Sequence, residues 1–587
     1  MKRQRFLHGS LAAFGVPAFA GSGAAAAASG AAPDLIVLAR RVRTVDDGMP
    51  VAEAFAVRAG RFTYVGSRDG ALALRGAGTE IVDAGEATVL PGFIDAHLHL
   101  TSVGAALHEV DLVHVASFAE VVARTVAFAK TSPDAWIRGD GWDQNLWPGK
   151  AFPTHDALSA AIPDRPVVLE RIDGHALLAN AKAMQLAGIT KATPDPAGGR
   201  ILRDGAGNPT GVFVDNAMAL VSRGIPPPSH DELVRQTRDA VAEANRFGVT
   251  AIGEAYTTAG ALAAFEELAR SADLQLRIAA MLADDPALLA ERFAKGPVRD
   301  AYDGRLSVAA IKMFVDGALG SRGAALLAPY TDDPGNSGLI RTPQTHIADV
   351  ATRALAHGFQ TCVHAIGDRG NRIVLDAYES ALRTAPAGDY RLRIEHAQVL
   401  SPEDIPRFRA LGIIPSMQTT HQISDMGWAE ARLGPERVKG AYAWRSLLDT
   451  GVIIPNGTDA PVESVNTLRT FHAAIARKDE SNQPAGGWYP AQRMTREEAL
   501  KSMTIWAAYA NFAEHAIGSI AAGKYADFVV LDSDLMTALA DEIMHAKILA
   551  TYSGGKRVYD AASFSGGRGT ALRPRRRARH AGCCALV

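Results

Sequence analysis

Residues Thr88–Leu100 read TVLPGFIDAHLHL, and the fold turns on this stretch. The apolar run 89–94 predicts a buried strand, interrupted only at Pro91-Gly92. Side chains alternate faces along an extended chain, so His97 and His99 point the same way. Two such imidazoles at a strand end can grip one metal ion. Alone the pair says little. With 17 His in 587 residues, chance supplies about half of one His-x-His pair. A metal site therefore needs further ligands from elsewhere in the chain.

Downstream, apolar strands alternate with amphipathic helices, the pattern of a parallel α/β architecture. Expected strands cover 89–94, 249–254, 275–282, 306–315, 359–364, 392–396, 413–416 and 452–459. Helices are expected at 232–247, 260–271, 347–356, 369–384 and 402–410. Eight strands make a (β/α)8 TIM barrel over 88–518, provided that about 101–246 is an insertion after the first strand. The insertion carries Trp136, Trp142 and Trp147, which either line an apolar pocket or fill a small core. Its position on a barrel's C-terminal face suits a lid over the substrate site. Short β-like runs in 33–87 and again in 519–562 predict a composite β-sandwich made from both chain ends.

The termini stand apart. Residues 1–32 have a basic start (Lys2-Arg3-Gln4-Arg5), an apolar segment and an Ala/Gly-rich tract, which is the anatomy of a Tat-like or Sec export signal. A periplasmic or secreted protein is expected. Residues 563–587 form a basic tail without apolar periodicity, read as disordered, with Cys583 and Cys584 near its end. A hydrophobic content of 48% against 21% charged residues gives ample core for a soluble globular protein. The net charge of -2 gives no pull toward nucleic acid, and 3 Cys exclude a disulfide framework or a Cys-based zinc site. No stretch reads as a stable membrane span. A homodimer is left open.

In a barrel, chemistry sits at the C-terminal strand ends. The expected fourth strand buries Lys312 in an apolar run, where an unpaired ammonium is costly. It is either paired with a carboxylate or converted by carbon dioxide to a carbamate that bridges two metals. The fifth strand ends in His364, the sixth in Glu395-His396 and the eighth in Asp459-Ala460-Pro461. Each has a plain alternative: a hydrogen-bonded histidine, or an aspartate opening a turn. Their concurrence at successive strand ends carries the weight.

The motifs LPGFIDAHLHL (90–100), GWDQNLWP (141–148), DGHALLAN (173–180), IKMFVDGALGSRGAAL (311–326), VHAIGDRGN (363–371), RIEHAQVL (393–400) and GTDAPV (457–462) resemble the amidohydrolase superfamily. Within it they resemble the YtcJ-like amidohydrolase 3 branch, which includes N-substituted formamide deformylases. The resemblance covers roughly 33–559. It implies His97, His99, His364, His396 and Asp459 as metal ligands, with Lys312 carboxylated and bridging two divalent ions, zinc foremost. One departure is Gly323, where the family pattern has Thr.

The expected activity is metal-dependent hydrolysis of a carbon–nitrogen bond, a non-peptide N-formyl or N-acyl amide, in a small-molecule substrate. Bound zinc lowers the pKa of water to about 7. Asp459 would accept the proton of the attacking water and pass it to the leaving amine. Trp142, His175 and Arg322 are candidate substrate contacts. A lactonase or carbamate hydrolase remains open on the same scaffold, as does a deaminase, although no His-x-x-Glu follows His364. An exported binding or regulatory protein without catalysis is the reading from another class.

Overall fold

In the computed structural model, which describes residues 31–172 and 174–561, the strand bearing the two histidines is Phe93–Leu98 (β1), buried at every position. Six parallel strands follow it in sequence order around one sheet: Val249–Thr257 (β2), Arg277–Ala283 (β3), Leu306–Phe314 (β4), Gln360–Ala365 (β5), Arg393–His396 (β6) and Ile414–Ser416 (β7). Helices cover their outer faces, among them His230–Arg246, Ala259–Arg270, Gln344–Ala356 and Asp368–Leu382. Burial on both sides explains the near-continuous apolar runs of β3 and β4. Helix starts are fixed locally. Ser229 and Glu232 form a capping box before His230–Arg246.

The expected eighth strand at 452–459 is not a regular strand; an isolated parallel bridge joins Met417 to Asn456. The segment nevertheless closes the barrel. On one side Gly457 N donates to Met417 O at 3.0 Å. On the other, Ala96 N donates to Asn456 O at 3.0 Å, and Asp459 N donates to His97 O at 2.7 Å. Regular strand geometry breaks where Asp459 turns to φ +59°. Gly457 makes the approach possible, since a Cβ there would lie 2.5 Å from the His97 nitrogen.

The two chain ends do share a sheet, but it is one curled sheet and not two separate layers. Its order runs Lys556–Asp560, Ile548–Ser553, Phe528–Leu531, Thr88–Pro91, Leu35–Arg43, Val51–Arg58 and Arg61–Gly66, with Glu80–Asp83 also paired to Leu35–Arg43. Curling brings distant strands together, so the Phe55 and Phe528 rings meet at 4.9 Å. Thr88–Pro91 lies inside this sheet, and Gly92 hands the chain over to β1.

The insertion holds a separate six-stranded sheet between Val110–Asp111 and Pro209–Asp215. Alternating residues feed two cores: Val167 and Leu169 pack with Trp142 and Trp147, whereas Val168 packs with Leu177 and Phe213. Among the described residues, no helix is long and apolar enough to cross a membrane. The expected basic tail lies outside the described residues, as does the expected export signal apart from residues 31–32.

Candidate metal centre

His97 and His99 leave the end of β1, Lys312 sits near the end of β4, His364 on β5, His396 at the end of β6, and Asp459 on the closing segment. All but His99 are buried. Barrel closure brings the six together. Asp459 Oδ1 lies 3.3 Å from His97 Nε2 and 3.1 Å from His99 Nε2. Lys312 Nζ lies 3.4 Å from His97 Nε2. The His396 ring centroid is 4.4 Å from that of His364 and 5.0 Å from that of His97. His396 and Asp459 both have positive φ, +72° and +59°, a strained conformation that persists only where surroundings impose it.

A second layer orients these groups. His97 Nδ1 lies 2.6 Å from Glu395 Oε2, which directs Nε2 toward the centre. Glu395 also pairs with the buried Arg393 at 2.7 Å. Burial alone would raise the Glu395 carboxyl, but Arg393 and His97 outweigh it and hold it well below the usual carboxylate range. Asp95 accepts from His97 N at 3.1 Å and from Thr458 Oγ1 at 2.6 Å, tying β1 to the closing segment. Asp316 accepts backbone hydrogen bonds from Ala325, Ile366 and Gly367, so the loop after β4 is fastened to the turn after β5.

Three members of this surround escape a reading of strand ends. His421, on the helix Thr419–Asp425, places Nε2 3.1 Å from Asp459 Oδ2 and Nδ1 3.7 Å from Glu463 Oε1. Burial would lower its pKa, yet the two carboxylates push it up to about 10. Glu254 is buried on β2 and pushed up to about 8 by that burial. Glu395 was visible beside His396 but offered no sign of its contact with His97. A buried carboxylate within an apolar strand was the signal available for Glu254. His421 lies in a short polar stretch with none.

The donor set fits a divalent cation. Both ring nitrogens of His396 and Nε2 of His364 are buried with no hydrogen-bond partner. Leaving such atoms unsatisfied is expensive, and a cation removes the cost. Burial holds both imidazoles well below the ordinary histidine pKa, so their lone pairs are free at neutral pH. Ligand atoms of His97, His99 and Asp459 lie within 4.8 Å of one another, as do those of His396, His421 and Asp459. The second grouping would make His421 a ligand. Its position between two carboxylates favours the imidazolium, so we read it as the cationic partner of Asp459.

The three expected substrate contacts are each engaged by other protein groups. Trp142 is fully buried in the insertion, its Nε1 donating to Leu169 O at 2.8 Å and its ring stacked on Trp147 at 5.9 Å. It fills a core with Trp147, Leu158 and Leu169. His175 is exposed within the insertion and contacts Asp215 at 2.8 Å. The Arg322 guanidinium is engaged by Asp332 through two contacts of 3.1 and 3.0 Å, and Arg432 shares that carboxylate. Arg322 thus ties its loop to the helix Ala429–Arg437. At Gly323 a Cβ would lie 3.3 Å from Gly317 Cα, so the loop backbones stack where the family pattern has Thr. A cavity of about 430 Å³ beside Ile413, Val452 and Trp506 opens at the N-terminal end of the barrel strands, away from the histidines.

The amidohydrolase family pattern matches residues 80–559, most of the chain. The chain belongs to the amidohydrolase family. It is 35% identical over 551 residues to the protein LONG AFTER FAR-RED 3 of Arabidopsis thaliana, covering 90% of this chain and 92% of that one. Against the amidohydrolase YtcJ of Bacillus subtilis it is 31% identical, covering 82% and 91%. Against an N-substituted formamide deformylase of Arthrobacter pascens it is 28% identical, covering 90% and 98%. A metal-dependent hydrolase of Pyrococcus furiosus superposes with a TM-score of 0.73 at 29% identity, covering 86% of this chain and all of that one. The chain is a metal-dependent hydrolase of the YtcJ-like branch.

Proposed function

We propose that this amidohydrolase cleaves the carbon–nitrogen bond of a small N-formyl or N-acyl compound, with Asp459 as general base and acid. The observation that carries the reading is the setting of the Asp459 carboxylate. One oxygen faces His97 and His99, and the other faces His421. Burial would raise its pKa, but hydrogen bonds from His421, His97 and His99 hold it well below the carboxylate range. It stays ionised and can accept a proton at the oxygen nearest the centre. His97, His99, Lys312, His364, His396 and Asp459 would hold divalent zinc, two ions if Lys312 is carboxylated, and the metal would supply Lewis acidity toward water and the carbonyl. Asp459 takes the proton from the attacking water and delivers it to the departing amine nitrogen. His421 balances the charge of Asp459 and fixes its orientation. The formamide deformylase likeness supports the choice of bond. The basic and apolar start at 1–32 supports export to the periplasm or medium.

The test is a substrate screen of purified, metal-loaded protein with N-formyl, N-acyl, carbamoyl and lactone compounds, alongside metal analysis. Turnover of formyl or acyl amides is the expected result. Turnover of lactones alone, or bound metal with no turnover of any amide, overturns the reading.

A further inference from the structure

One rung above the metal layer, the barrel presents two aromatic rings. Lys312 and Phe314 lie two residues apart on one face of β4, so the Phe314 ring points inward nearer the barrel mouth, and β2, irregular after Glu254, sets Tyr256 against it. Tyr256 and Phe314 are half-buried, with centroids 5.7 Å apart. Phe314 stands directly against the metal layer, 5.5 Å from the His364 ring and 4.9 Å from Lys312 Nζ. Over the same ring, at 5.4 Å, lies the guanidinium of Arg341. A single aromatic ring thus separates this cation from a proposed ligand.

Arg341 is held in place by its backbone, which donates to Val315 O at 2.8 Å just beyond β4. Its side chain is exposed and makes no ion pair among the described residues. The carboxylates nearest Tyr256 are already committed. Asp284 contacts His346 at 2.6 Å, and Asp285 caps the helix Pro286–Lys295 by accepting from Leu288 N at 2.8 Å. Arg322 and Arg432, by contrast, share the Asp332 carboxylate. Arg341 keeps its fork of donors open toward the space above the aromatic rung.

We infer that Arg341 binds a carboxylate on the substrate, so that the preferred substrates are N-formyl or N-acyl derivatives of amino acids rather than of neutral amines. This rests on the hydrolase reading above and adds the substrate class. The scissile carbonyl lies at the histidine layer, the intervening chain lies across Phe314 and Tyr256, and the carboxylate meets the guanidinium, whose planar donors suit it. Hydrolysis adds water across the carbonyl carbon–nitrogen bond. For a formyl substrate it releases formate and the free amino acid, with no redox change.

The experiment compares metal-loaded wild type with Arg341→Met and Arg341→Lys. The probes are N-formyl amino acids from N-formylglycine to N-formylaminohexanoate, each matched to a neutral N-formylalkylamine of equal length. In the wild type, kcat/KM favours the carboxylates. In Arg341→Met the ratio of carboxylate to neutral kcat/KM falls by about tenfold or more, mainly through KM, and Arg341→Lys restores part of it. An unchanged ratio in Arg341→Met overturns the Arg341 assignment while leaving the hydrolase reading intact. If neither series is cleaved, the N-formyl part of the reading fails, and titration calorimetry with hexanoate decides the anion site. About tenfold weaker binding to Arg341→Met than to wild type supports it, and equal binding overturns it.

Discussion

In the insertion, the indoles of Trp142 and Trp147 donate to the carbonyls of Leu169 and Val115, and Asn180 donates to two carbonyls while accepting from two backbone amides. At the barrel mouth, His364 and His396 hold buried nitrogens with no such partner. Both regions are buried, both are rich in polar atoms, and both were candidates for substrate contact. The difference between them is saturation. Among the described residues of 110–215, no buried side-chain nitrogen or oxygen lacks a hydrogen bond, so that sheet is complete in itself. The barrel mouth is completed from outside the chain. Unsatisfied buried donors and acceptors, more than aromatic content, mark where a ligand belongs.

Three substitutions would break or sharpen this contrast. The largest effect is expected from Asp459→Asn, which removes the proton acceptor while keeping an oxygen among the histidines. Turnover should fall by about a hundredfold to ten-thousandfold with metal content retained. Steady-state kinetics with metal analysis checks this, and near-normal turnover refutes the role. Next, Trp142→Ala should loosen the insertion by about 3–5 kcal/mol, the usual cost of emptying a buried aromatic site. Limited proteolysis should then cut within 110–215 while the barrel keeps its metal. A selective rise in KM with unaltered proteolysis would return Trp142 to the substrate pocket.

The smallest effect concerns pH. Glu254 is pushed up from 4.5 to about 8, so the folded protein binds a proton there that the unfolded chain has already released. Its contribution to stability is present below about 4.5 and is lost as pH rises through about 8. In Glu254→Gln that loss disappears. Between pH 6 and 9 the apparent Tm of the wild type should therefore decline by a few degrees more than that of the variant. Parallel Tm curves would show that Glu254 is ionised throughout.

Much of the barrel was legible because buried parallel strands are apolar on both faces, a pattern plainest in β3 and β4. The eighth segment was legible as a ligand carrier but not in its shape, since Asp459 turns left-handed within it. Lys312 stood out because a lysine in an apolar strand demands an explanation. His421 did not, because its partners Asp459 and Glu463 meet it only after the barrel closes. Trp142 misled for a related reason: a tryptophan cluster carries the same composition whether it faces a pocket or another tryptophan. That the chain ends share one curled sheet was also invisible, because curl leaves no mark in the alternation of the strands.

That curled sheet has a consequence for the order of assembly. Thr88–Pro91 pairs with Leu35–Arg43 on one edge but with Phe528–Leu531 on the other, so the strand leading into the metal layer is locked on both edges only by residues about three-quarters of the chain later. β1 likewise waits for β2 across the whole insertion, and for the closing segment beyond β7. A chain emerging from the ribosome can complete the 110–215 sheet early, but it cannot seat its first two histidines until the last strands arrive. Maturation of the centre is therefore a late, whole-chain event, and a truncation that removes only the final 60 or so residues should abolish it while leaving every ligand in the sequence.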